Sequence, residues 1–439
     1  MSVIVRGARV VTLLLTAGSL LAACGYFDDE EKLPGERIRL RANDTQAEPD
    51  VATRRSLAPA QTLANWTQTN GQATHNSGNL NGPTSPSIAW RADAGQGNSD
   101  DSWITSPPIA VDGRVFTLDA ASTVTAFDSG SGSVSWETDV SLEDEDGEEG
   151  FGGGLAAEGQ TIFVTTGFGE VLALSAASGE ILWRQRFDAP FRAAPSAANG
   201  IVVAVARDNQ AYALRGATGD LLWRDQGVAA EAAFLGGSTA AIAGGLVILP
   251  YSSGEMVALD IGTGRAIWSA VVTGGRRGLA RASITDLTGD PVVAGPFVLG
   301  ANQSGRLIAI NGRNGNRVWT RAIGATKPLW PVEDTMFLIS DLEELTRVNL
   351  RDGSTLWKTP LPAFEDEEDA EDPITYSGPI VVSGKVLLTD SLENLWSFDA
   401  QSGEGGVILE MPDGSRTGPI VAGGTIFILT DEADLLALR

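Results

Sequence analysis

One phrase recurs along most of this chain, and any fold must accommodate every copy. Each copy is a short alternating strand, a turn of small residues and glycine, and then a tryptophan. The copies read SGSGSVSW ending at Trp136, AASGEILW at Trp183, GATGDLLW at Trp223, IGTGRAIW at Trp268, GRNGNRVW at Trp319 and LRDGSTLW at Trp357. Successive tryptophans stand 47, 40, 45, 51 and 38 residues apart. PTSPSIAW places Trp90 46 residues before Trp136, and AQSGEGGVIL repeats the turn with Ile408 or Leu409 in the tryptophan slot. That makes eight units.

A period of about 40–50 residues in short strands predicts a β-propeller with four strands per blade. The strands TVTAFD, EVLALS, QAYALR, EMVALD, RLIAIN and NLWSFD alternate with period two. The second glycine of each turn is expected to supply a positive φ. The tryptophan is expected to pack between blades, because a blade cannot bury both its faces alone. The last unit, TGPIVAGGTIFILTDEADLLALR, holds three strands and stops at Arg439. Its fourth strand, with a tryptophan, is PSIAWRAD near the start of the repeat region. The strand ending at Arg439 should therefore pair with the Trp90 strand and close the ring, which removes exposed sheet edges. The alternative is an open β-solenoid. The fold class expected is all-β, an eight-bladed propeller over residues 65–439.

The chain starts with an address. Arg6 and Arg9 precede an apolar run, Val10 to Leu21, that is too short to span a bilayer comfortably. Leu21-Ala22-Ala23-Cys24 follows, and Cys24 is the only cysteine. One cysteine rules out an internal disulfide and any all-cysteine metal site. The pattern resembles the bacterial lipobox, which implies a signal peptide over residues 1–23 and lipidation of Cys24. The alternative is a core cysteine after an ordinary signal peptide. Gly25 in place of Asp favours, by the same resemblance, the outer membrane over inner-membrane retention. Several acyl chains on one residue would make the anchor stable, since a single chain is marginal. Residues 24–64 read as the acylated N-terminus and a flexible tether, with mixed charge and Pro34, Pro49 and Pro59. Such a coil would hold the body about 35 Å from the membrane.

The formal net charge of −25 argues against nucleic acid as a partner. His75, the sole histidine, lies in the polar segment WTQTNGQATHN and cannot make a zinc site alone. It is expected to be a surface or structural residue. No G-x-S-x-G nucleophile elbow occurs. The acidic run Glu143–Glu149 fails as a calcium loop, because Leu142 and Gly153 would occupy the first and twelfth ligand positions. That run and Glu365–Asp372 read as solvated inter-blade loops. Gly274–Gly278 is a small basic island, also read as a loop. No catalytic, cofactor or metal residue is expected.

The unit ALD-x-x-TG-x-x-x-W, clearest from Ala258 to Trp268, resembles the quinoprotein (PQQ-type) propeller repeat. That repeat is specific for fold and weak for function. Quinone-dependent dehydrogenases carry it, with a calcium, a catalytic aspartate and often adjacent cysteines, and this chain has no cysteine pair. The lipobox, tether and eight-bladed propeller together resemble the BamB family, lipoproteins of the outer-membrane β-barrel assembly machinery. The resemblance implies a non-enzymatic scaffold, lipid-anchored in the outer membrane and facing the periplasm. It implies binding to the POTRA domains of BamA and to other machinery subunits, and help in delivering unfolded barrel proteins. The family's partner-binding residues lie in two neighbouring loops. In EAAFLGGSTA they fall on Ala232, Phe234 and Leu235, with a family arginine replaced by Leu235. In RASITDLTGDPVV they fall on Asp286 and Thr288, the latter replacing an aspartate, with Asp290 close by. The alternative function is a PQQ-dependent periplasmic dehydrogenase or a degenerate relative.

Overall fold

The computed structural model describes residues 57–143, 145–229, 236–275 and 286–439. Eight four-stranded antiparallel blades follow one another in the chain. They span residues 109–139, 153–186, 196–226, 241–271, 287–321, 330–360, 376–410, and, for blade 8, 420–438 together with 88–93. In blades 1 to 7 the strands pair in chain order, first to fourth, and in blade 8 the fourth place is taken by 88–93 from the start of the repeat region. The first three are buried on both faces, so they read as near-continuous apolar runs such as Thr425–Leu429, TIFIL. The fourth is the outer edge and is largely exposed, as in Ile88–Asp93 and Val134–Asp139.

Ring closure follows the expectation. Ile88–Asp93 pairs antiparallel with Asp434–Leu438, with Trp90 opposite Ala437 and Asp93 opposite Asp434. Ser87 and Arg439 then exchange two backbone hydrogen bonds of 3.0 Å.

The tryptophans join consecutive blades by one repeated contact. Each indole N–H donates to a carbonyl in the turn of the next blade: Trp90 to Ser129, Trp136 to Ala176, Trp183 to Gly216, Trp223 to Ile261, Trp268 to Gly312, Trp319 to Leu350 and Trp357 to Ala400. The glycine three residues after each acceptor has positive φ, between 69° and 75°. A Cβ on any of these seven glycines would lie 2.6–2.8 Å from the preceding blade's tryptophan. The glycine is therefore fixed twice, by backbone conformation and by the indole against it. Blade 7 lacks this tryptophan, and the reason is geometric. Blade 8 is closed by two chain segments rather than a turn, so there is no turn glycine to receive an indole. Leu409 is the half-buried residue there, while Ile408 is exposed.

A strap lies inside the ring. Residues 61–82 run once around the axis and bond to every blade in order. Leu63 accepts from Gly423 of blade 8, and Trp66 exchanges two backbone bonds with Ala110 of blade 1. Thr67 accepts from Ala157 of blade 2, and the Gln68 amide makes two bonds to the Ala197 backbone of blade 3. Ala73 accepts from Ile242 and Thr74 from Val293, in blades 4 and 5. Gly78 accepts from the Trp330 indole of blade 6, and Asn79–Leu80 pairs in parallel with Val381–Val382 of blade 7. Residues 61–64, placed in the tether on sequence grounds, thus carry bonds to the propeller. Cys24 and the rest of the anchor region lie outside the described residues.

Of the two acidic runs, Asp146 caps a short 3-10 turn by accepting from the Glu148 N–H. The second run is a small exposed hairpin, Phe364–Asp366 paired with Glu371–Pro373, rather than an irregular loop.

Candidate functional site

The chain enters the first strand of each blade from one face of the ring, close to the axis. These entry segments line an axial cavity of about 300 Å³. Its walls come from residues 103–107, 192–194, 236–237, 326–328 and 416–417, with Thr239, Thr288, Asp290 and Thr375. Thr69 and Asn70 of the strap also line it.

Both loops singled out by family resemblance depart from this same face. Ala232, Phe234 and Leu235 lie outside the described residues, as do Arg276 and Arg277 of the basic island. The feet of the loops are described, and Arg192 ties them together. Its guanidinium grips Asp286 with two hydrogen bonds of 2.8 and 3.2 Å, and its carbonyl accepts the Gly237 N–H at 2.9 Å. Ser238 donates to the Leu287 carbonyl at 2.7 Å, a second tie between the same feet. Asp286 is 2% exposed. The bidentate Arg192 contact offsets the cost of burying this side chain. Asp286 therefore faces inward and shapes the loops. Thr288 lines the cavity and donates to the Ala325 carbonyl at 2.7 Å.

Thr288 and Asp290, read as loop residues from the sequence, belong to the first strand of blade 5, Leu287–Ala294, and Asp290 sits on the cavity wall. It accepts from the Thr239 N–H at 2.7 Å and the Asn70 amide at 3.2 Å. His75 is fully buried behind it, with Nδ1 at 2.8 Å from the Pro291 carbonyl. That contact requires Nδ1 to carry a proton, and Nε2 has no hydrogen-bond partner. Burial pushes the imidazole pKa down, opposed by Asp290, and pushes the Asp290 carboxyl up. His75 is thus structural: it seats the strap against blade 5.

Three cations line the cavity: Arg192, Lys327 and Arg416. Arg416 pairs with Asp431 and lies over the Trp103 ring at 5.4 Å. Lys327, half-buried in the wall, donates to the Arg416 carbonyl at 3.2 Å. Burial lowers its pKa to about 8. Sequence reasoning missed all three, because they lie outside the repeated phrase. A weak signal was present: Ser106, Ala194, Asp290 and Lys327 each precede a proline just before or within a first strand, and all four line the cavity.

Among the described residues, no group of three His, Cys, Asp or Glu side chains is placed to hold a metal ion.

Comparison with known proteins agrees with this architecture. A family model described as "Outer membrane protein assembly factor BamB" matches residues 140–359. The assembly factor BamB of Moranella endobia is 26% identical over 279 residues, covering 62% of this chain and 71% of that protein. BamB of Shewanella oneidensis is 25% identical over 281 residues, covering 62% and 70%. Among solved structures, BamB from Moraxella catarrhalis superposes with a TM-score of 0.66 at 16% identity, over 81% of this chain and 99% of that one. Quinohemoprotein alcohol dehydrogenase from Comamonas testosteroni gives 0.65 at 14% identity, over 86% and 81%. Both superpositions speak to the fold.

Proposed function

Because the chain belongs to the BamB family of outer membrane protein assembly factors, we propose that it is a non-enzymatic scaffold of the barrel-assembly machinery. In this reading it is anchored through Cys24 in the outer membrane and faces the periplasm. It binds the POTRA domains of BamA with the entry face of the propeller, and it aids delivery of unfolded barrel proteins. The observation that supports this most is the arrangement of the two loop feet. Two segments 50 residues apart in sequence, at Gly236 and Asp286, are clamped side by side by Arg192. A rigid base under two adjacent loops is what a protein-binding surface needs, since ordering them in advance lowers the entropy lost on docking. In this scheme Phe234 is the apolar anchor, Leu235 and Ala232 extend it, and Asp286 and Thr288 position the second loop.

Affinity capture of the full-length chain from membranes in mild detergent tests the reading. A POTRA-containing barrel protein is expected to co-purify, and purified POTRA domains to bind the soluble chain directly. Absence of direct binding would sink the proposal. Added PQQ and calcium are expected to leave no retained quinone absorbance and no alcohol oxidation.

A further inference from the structure

The axial cavity has a charge pattern that the scaffold role does not use. Three cations line it in a chain of net charge −25. Two are neutralised in place, Arg192 by Asp286 and Arg416 by Asp431. Lys327 is not. Its ammonium donates to one neutral acceptor, the Arg416 carbonyl, which also accepts from Ser377 Oγ at 2.5 Å. No carboxylate of the described residues lies within ion-pair distance of it. Asp431 is near enough to be felt, but it already takes the Arg416 N–H and guanidinium. Asp290, the acid on the wall, is held by Thr239 and Asn70.

A lysine placed this way is expensive. An ammonium is strongly hydrated, and the wall strips part of that water for a single hydrogen bond in return. Three N–H donors against one acceptor leave two to spare. The chain contains only four lysines, against 27 arginines, so this is not one of many interchangeable positions.

We propose that the axial cavity binds a carboxylate, with Lys327 as its counter-ion. One unneutralised cation matches one negative charge, which favours a carboxylate over a phosphate dianion. The volume, about 300 Å³, is at the small end of ligand pockets. Thr69 and Asn70 of the strap supply further polar atoms to its lining. The wall offers Trp103 for an apolar body and threonine hydroxyls for polar atoms. A free small organic acid and the C-terminal carboxylate of an extended polypeptide share this chemistry.

The experiment uses the full soluble chain and follows acylation of lysines by mass spectrometry at pH 8. The probes are L-lactate, N-acetyl-tetra-alanine and the C-terminal amide of that peptide. At saturation a carboxylate is expected to slow modification of Lys327 at least tenfold and to leave Lys358 and Lys385 unchanged. Those two already pair with Glu344 and Asp399. Protection by lactate alone assigns the site to free acids. Protection by the peptide acid and not its amide assigns it to chain ends. Equal protection by acid and amide, or protection by none of the three, overturns the proposal. Calorimetry with Lys327→Met is expected to show at least a tenfold loss of affinity and with Lys358→Met none; unchanged binding by Lys327→Met also overturns it. Should Lys327→Met fail to fold, protection in the natural chain decides alone.

Discussion

The indole of Trp223 in blade 3 rests against Gly264 in the turn of blade 4, so close that a Cβ there would lie 2.7 Å from the ring. The same indole donates to the Ile261 carbonyl at 2.7 Å. Gly264→Ala meets both obstacles at once, an overpacked contact and a φ of 70°. A loss of about 2–4 kcal/mol is expected. Trp223→Phe keeps much of the apolar contact and removes the donor, for about 1–2 kcal/mol. Urea denaturation of both variants checks the order.

Leu409 offers the converse test. Restoring the family pattern with Leu409→Trp is expected to give no stabilisation, because blade 8 presents no turn glycine to receive the indole. A clear rise in melting temperature for this variant would mean that the tryptophan works by apolar area alone.

The Arg192–Asp286 pair separates shape from contact. Asp286→Asn or Arg192→Met alone strands a buried charge or an unpaired donor, and each is expected to cost about 3–5 kcal/mol. The double variant Arg192→Met/Asp286→Leu replaces the pair by apolar groups and is expected to lose less than either single change. Binding to POTRA domains, measured by calorimetry, is expected to weaken in the singles and recover in the double. If Asp286 itself touches the partner, the double variant stays as weak as Asp286→Asn.

His75 makes stability depend on pH in a stated direction. Its pKa in the folded chain lies below the ordinary 6.5, so below that value the unfolded chain takes up a proton that the folded one resists. Stability is expected to fall as pH drops from 7.5 to 5.5. Asp290 acts oppositely: its raised pKa costs stability as pH rises from 3.8 toward its folded value. His75→Gln is expected to flatten the decline between pH 7.5 and 5.5. Parallel melting curves for the variant and the natural chain across that range would remove His75 as the cause.

The ring was legible from Trp136 to Trp357 because the indole contact repeats in sequence as it does in space. Closure through Trp90 was legible for the same reason, since one unit lacked a strand and another stretch supplied it. The strap was not. Trp66, Thr67, Ala73 and Leu80 use backbone atoms to reach four different blades, and backbone hydrogen bonds leave no side-chain pattern. The polar look of WTQTNGQATHN suggested solvent, yet Gln68 and His75 are buried with their polar atoms turned to the innermost strands. Asp286 misled in another way. An acidic loop residue reads as exposed, and only the fold brings Arg192, 94 positions away, against it.

The strap also couples the order in which the chain is made to the order in which it can settle. Residues 61–82 emerge early, but their docking points extend from Ala110 to Gly423. The strand Ile88–Asp93 likewise waits for Asp434–Leu438. A chain interrupted at any intermediate blade keeps an unmatched outer strand and a strap with unfilled anchor points. Only a finished chain hides both signs of incompleteness.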